Sequence, residues 1–253
     1  MLNLNAFNKA VETAITINQD SINSEKLEPI HPQTICYKNS VNILVGKQGS
    51  GKTFTCAYEI AKISQLHHET HLLIIVCKNE NSEDPTIKSL SSLIRIPIVY
   101  VTEDEAEEYV GKLLAAKRRY SAGELEDGDL ELLHVEDTSR AYLHTLLLFN
   151  DVAKSKLFSR PTNYFNQLLP ICRHIQCSFF LNVQFWKSLP PEIKANATLV
   201  FVFGGFDTRQ LYYIFSQVPT ALSIKNIIPA YKALKKHDKL IVDCETGTVY
   251  RPL

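Results

Sequence analysis

Residues 46–53 read GKQGSGKT, which fills every fixed position of a Gly-x-x-x-x-Gly-Lys-Thr pattern. An apolar run, Val41 to Val45, leads into it, and a stretch with helical spacing, Lys52 to Leu66, leads out. Residue types at this spacing can hold phosphate. Gly46, Gly49 and Gly51 let the backbone curl until consecutive N–H groups face inward, and a helix starting near Lys52 adds the positive end of its dipole. Lys52 can reach β- and γ-phosphates, and the Thr53 hydroxyl can ligate Mg²⁺. Gln48, Ser50 and Phe54 complete the candidate nucleotide contacts. A glycine-rich turn with no ligand can spell the same letters, but the strand before and the helix after are the context phosphate binding requires. Kinases, GTPases and motors share such a loop. The sequence has no N/T-K-x-D motif for reading guanine, so ATP is the expected nucleotide.

Hydrolysis needs an acid at the end of another strand to hold the Mg²⁺ shell. The string LLLFND supplies four apolar residues, then Asn150 and Asp151. A buried strand ending in polar turn residues would read the same way. Asn150 can hydrogen-bond a metal-bound water but brings no charge. Either Asp151 does the essential work or hydrolysis is slow, and an Asp-to-Asn change introduced to trap bound ATP would read the same way. Further on, Gln184 follows the apolar run FFLNV, where its amide could sense a γ-phosphate, orient water or simply close a strand. Arg173 could pair with an acid of its own subunit. It could equally reach a neighbour's nucleotide, which would require a ring; Arg95 and Arg209 compete for that role. His174 reads as structural, and no Cys/His spacing suggests zinc.

These residues need elements to position them, and strands and helices alternate along the chain. Strands are expected at Val41–Val45, HLLIIVCK, IPIVYV, TLLLFNDV, CSFFLNVQ and TLVFVFG, with helices between them. Thr102 is the expected N-cap of the helix in TEDEAEEYVGKLLAAKRRY, with Glu105 as its capping-box partner. Residues 121–137, acidic and glycine-containing, read as a loop or insertion. Asp207 is expected to cap a helix, and KLIVDCETGTVYRP to form a closing hairpin with its turn at Thr246-Gly247. Buried apolar strands alternating with helices predict an α/β fold with a mainly parallel central sheet flanked by helices. The simplest division is an N-terminal arm, 1–40, and one domain, 41–253.

Lys plus Arg equals Asp plus Glu at 27 each, so the surface is not uniformly basic, although a local basic patch remains open. Six scattered cysteines, with no CxxC pair, read as reduced thiols in an intracellular setting. No apolar run reaches the ~18 residues of a membrane span.

The order of the pieces carries a resemblance. GKQGSGKT, then LLLFNDVAKSKLF, then RHIQCSFFLNVQFWKSLPPEIKANATLVFVFGGF resembles the genome-packaging ATPases of poxviruses, other large DNA viruses and virophages, within the FtsK–HerA superfamily of DNA-pumping motors. It spans roughly residues 41 to 217. The resemblance implies a RecA-like, ASCE-type P-loop ATPase using ATP and Mg²⁺. Gly46–Thr53 then look like the Walker A loop, and Asn150-Asp151 occupy the Walker B position. Gln184 looks like the polar sensor, and Arg173 like a finger acting in trans. The implied partners are double-stranded DNA, a homo-oligomeric ring (pentamer or hexamer) and viral capsid proteins. The implied location is the host cytoplasm, in a viral factory, or the virion. Lys154, Lys156 and Arg160, just after the Walker B strand, are placed to couple nucleotide state to DNA phosphates. A second basic segment, Lys232, Lys235 and Lys236, reads rather as a solvated face, and that alternative stays open for the first segment too. Two other functions fit a P-loop: a small-molecule kinase, and an ATP-gated assembly module with little hydrolysis, which the neutral Asn150 would suit.

Overall fold

The computed structural model describes residues 28–29, 37–77, 85–150, 156–158 and 163–251. Among them nine strands form one sheet. Six run parallel: β2 (Val41–Val45), β3 (Thr70–Cys77), β4 (Ile98–Thr102), β5 (His144–Asn150), β6 (Cys177–Val183) and β7 (Leu199–Phe203). Their spatial order is β7-β2-β6-β5-β3-β4. β8 (Lys239–Asp243) lies antiparallel to β7, and β9 (Val249–Arg251) antiparallel to β8. These two make the expected closing hairpin, turned at Gly247 with φ 73°. β1 (Glu28–Pro29), inside the stretch read as an arm, pairs in parallel with β9. The rest of 1–36 lies outside the described residues.

β2, β3, β6 and β7 are buried at every position, which explains why they read as unbroken apolar runs rather than alternating ones. Alternation still decides which face each side chain joins. Val41, Ile43 and Val45 enter one core with Phe149, Phe165 and Phe179. Leu44, Phe180, Phe201 and Phe203 enter the other, packed on Cys56, Ala57 and Ile60 of α1 (Lys52–Leu66). The remaining helices are α2 (Pro85–Lys88), α3 (Ala106–Ala122), α4 (Asp129–Leu133), α5 (Tyr164–Leu168), α6 (Pro191–Ala195), α7 (Thr208–Phe215) and α8 (Ile224–Lys232). α7 carries the expected Asp207 cap as a full capping box with Gln210. No helix among the described residues is long and apolar enough to cross a membrane.

Two expectations are corrected. Thr102 does not cap α3. It stays in β4, paired with Cys77, and a turn intervenes before Glu105, which occupies the N-cap position. The Thr102 hydroxyl bonds the Glu105 carboxylate instead, at 2.7 Å. The acidic stretch 121–137 is not all loop either, because it holds α4. Asp129, 3% exposed, accepts from Arg119 Nε at 2.8 Å and from the Glu126 amide at 3.0 Å, and Arg119 holds its carboxyl down at about 2.

Two histidines sit deep in the sheet. His144 bonds with Thr70 and Ser178, both at 2.9 Å, and His71 donates from Nδ1 to the His144 carbonyl at 2.9 Å. Burial, aided by the charge of Lys117, pushes both imidazoles down to about 3. Between that value and the ordinary 6.5, the unfolded chain binds protons that the folded chain refuses, so stability falls as pH falls. Each histidine contributes a slope approaching roughly 1.4 kcal/mol per pH unit in that window. Thermal melts from pH 7.5 down to 4.5 should show this decline, and His144→Gln should make it shallower.

Candidate nucleotide-binding site

The loop 46–51 joins the carboxyl end of β2 to α1. Gly46 N donates to Val183 O of β6 at 3.1 Å, and Ser50 N to Lys47 O at 3.2 Å. Gly49 and Gly51 hold φ of 71° and 95°, a region that favours glycine. Gly46 is required for space: a Cβ there would stand 2.6 Å from Ser50 Oγ and 2.7 Å from Phe203 Cβ. Gly51 is the N-cap of α1 and provides no capping side chain, so the first-turn amides face outward. Lys52 Nζ donates to Gly46 O at 2.7 Å and Lys47 O at 3.0 Å, which holds the ammonium across the loop. The Ser50 hydroxyl is buried with no hydrogen-bond partner. Glycine-shaped space, oriented amides, an orphaned hydroxyl and a tethered cation fit a polyphosphate. Gln48 is exposed, Thr53 half-buried, and Phe54 is 43% exposed at the helix start.

Asn150 ends β5, and β6 lies between it and the loop's strand. It is half-buried, and Asp151 after it lies outside the described residues, as do Lys154 and Arg160. Asn182 of β6 pairs in register with both Leu44 and Asn150, so it stands directly between the two strands. It is 1% exposed and donates from Nδ2 to Asn150 Oδ1 at 3.1 Å, while its own Oδ1 has no hydrogen-bond partner. The sequence reading missed Asn182, although an amide inside FFLNV was a visible signal. Gln184 follows Val183, the residue that anchors Gly46, and so stands at the loop's edge.

Arg173 is not brought to this site. It precedes the amino end of β6, 75% exposed, with its guanidinium 3.8 Å from Glu245. Seven residues of β6 separate it from the loop, a span of about 20 Å, so it cannot serve its own subunit's site. Arg95, ahead of β4, lies at the same amino end. Arg209 is on the loop's side, in a cavity of about 690 Å³ with Phe185, Trp186 and Lys187.

The far segment 233–239 also returns to the loop. Lys239 Nζ donates to Thr55 Oγ1 at 3.2 Å, and burial pushes its ammonium down. It clasps β8 to the first turn of α1, a role no local pattern announced.

No family model and no curated protein sequence matches the chain. Solved structures do. The genome-packaging NTPase B204 of Sulfolobus turreted icosahedral virus 2, in complex with AMPPCP, superposes with TM-score 0.58 at 19% identity, covering 85% of this chain and 98% of that one. The chain has the fold of a viral packaging NTPase. EssC (ATPases 2 and 3) from Geobacillus thermodenitrificans matches with TM-score 0.57 at 12% identity, over 84% of this chain and 39% of that one. The cytoplasmic domain of the type VII secretion ATPase EccC from Thermomonospora curvata matches at 0.53 and 13%, over 84% and 25%. The expected mainly parallel P-loop sheet is therefore the observed one, and the structure adds that β6 lies between the loop strand and the Asn150 strand.

Proposed function

We propose that the chain is an ATPase of the FtsK–HerA type that drives viral double-stranded DNA into a preformed capsid. The observation that carries this is the match of 85% of the chain to the fold of a packaging NTPase, with TM-score 0.58, joined to a phosphate cradle at the carboxyl edge of the same sheet. Gly46–Thr53 hold the triphosphate through backbone amides, with Lys52 on the β- and γ-phosphates. Thr53 and Asp151 would hold Mg²⁺, which when bound screens phosphate charge during cleavage. Asn150 and Gln184 orient water at the γ end. The chain's neutral balance, 27 cationic against 27 anionic side chains, suits a ring whose bore is basic and whose outside is not. In the infected cell the expected partners are DNA, five or six copies of the chain, and capsid proteins.

Arg173 stands exposed at the end opposite its own loop, so any catalytic contact it makes is with a neighbour's nucleotide. Arg173→Ala should bind ATP normally and lose turnover at least 30-fold. Mixing it with subunits lacking Asp151 should restore part of the rate; no recovery removes the trans role. The assembly itself is tested by electron microscopy with a non-hydrolysable ATP analogue and duplex DNA. Closed rings with DNA in the bore support the motor, and dispersed monomers contradict it. The neutral Asn150 favours one rival, an ATP-gated assembly module, which would form rings without turnover.

A further inference from the structure

The strand order gives a bound triphosphate a direction. The residues read as serving the γ end, Asn150 and Gln184, lie at the end of β5 and just after β6, on one flank of β2. With those residues at the γ end, the α-phosphate and its nucleoside extend toward the other flank, above β7 and β8. That flank carries a wall. The turn before β8 is fixed by Lys235 N donating to Asp238 Oδ2 at 2.9 Å and Asp238 N to Lys235 O at 3.1 Å. Gly204 N at the end of β7 donates to Asp238 O at 3.1 Å, and Lys239 ties the turn to Thr55.

His237 occupies this wall with φ 74°, a left-handed conformation that costs free energy in a residue bearing a Cβ. The turn holds it there with the ring against the mouth of the loop. A Cβ on Gly51 would lie 3.5 Å from His237 Nδ1 and 3.9 Å from Cγ. The side chain is nevertheless exposed, so one face of the ring borders the phosphate cradle and the rest is open. Phe54, 43% exposed, offers a second ring in the first turn of α1.

We infer that His237 is the base-stacking residue of the site, its imidazole packing on the purine of the bound nucleotide beside the Phe54 ring. This rests on the reading of Gly46–Thr53 as the phosphate cradle and adds what sets preference for a nucleoside over bare polyphosphate. Stacking acts on the base alone, so removing the ring must separate two ligands that share the cradle.

The test is calorimetric titration of the full chain with ATP and with inorganic tripolyphosphate, both with Mg²⁺. His237→Gly is the informative variant, because glycine adopts φ 74° without strain and the turn keeps its shape; His237→Asn, also tolerant of that region, is the second. Both should weaken ATP about tenfold and leave tripolyphosphate within twofold of wild type. Unchanged ATP affinity in both variants overturns the assignment. Equal weakening of the two ligands also overturns it, since His237 would then serve the phosphates or the fold. Wild type that binds tripolyphosphate but gains nothing from the nucleoside refutes stacking while leaving the cradle intact. Wild type that binds neither ligand removes the cradle, and the stacking role with it.

Discussion

Lys52→Ala should abolish measurable ATP binding, with affinity falling at least 100-fold while the fold survives. Lys52 spans the loop by donating to Gly46 O and Lys47 O. Its alkyl stem contributes little to either core, so the cost falls on the site. A charge-assisted hydrogen bond contributes about 1.5–3 kcal/mol, and loss of two such contacts to β- and γ-phosphates is the expected deficit. Of the carbonyls it leaves, that of exposed Lys47 can turn to water while that of buried Gly46 loses one partner, so the melting temperature should fall by a few degrees. Titration calorimetry beside a thermal melt separates the two effects. Retained ATP affinity in a folded variant would remove the cradle from the account.

Asn150→Asp should raise turnover about tenfold or more and lower the Mg²⁺ concentration needed for half-maximal rate. The surroundings are already suited to a carboxylate. Asn182 donates its amide to the Oδ1 of residue 150 at 3.1 Å, and that bond strengthens when the acceptor carries charge. Aspartate and asparagine have nearly the same shape, so the buried Asn182 keeps its place between β2 and β5. The new charge would lie where the metal shell is expected, beside Asp151 and Thr53. Adding Asn182→Ala to Asn150→Asp should reverse much of the gain, because the introduced carboxylate then loses its fixed donor. A rate unchanged by Asn150→Asp would mean that this position does not face the reacting phosphates.

Much of this architecture is legible in local pattern. The strand–loop–helix around GKQGSGKT, the buried β-branched runs and the Asp207 cap each depend on residues close in sequence. The helix after β4 was legible in kind but not in its start, because strand pairing of Thr102 with Cys77 overrode the capping pattern. Helix α4 escaped because its anchor is an ion pair, Arg119 with Asp129, ten residues apart. At the site, Asn182, Lys239 and His237 were not identified. Each reaches the loop only through sheet order, from β6 or from the turn before β8, far along the chain from it. Lys232, Lys235 and Lys236 are exposed, as a solvated face would be, although the turn that carries the last two packs against the ends of β7 and α1.

The most direct measurement is phosphate release from saturating Mg²⁺-ATP by the purified full chain, followed with and without long duplex DNA. A packaging motor shows a basal rate that duplex DNA raises several-fold and that Lys52→Ala abolishes. Turnover indifferent to DNA but dependent on a small hydroxyl-bearing acceptor, or no hydrolysis under either condition, would contradict it.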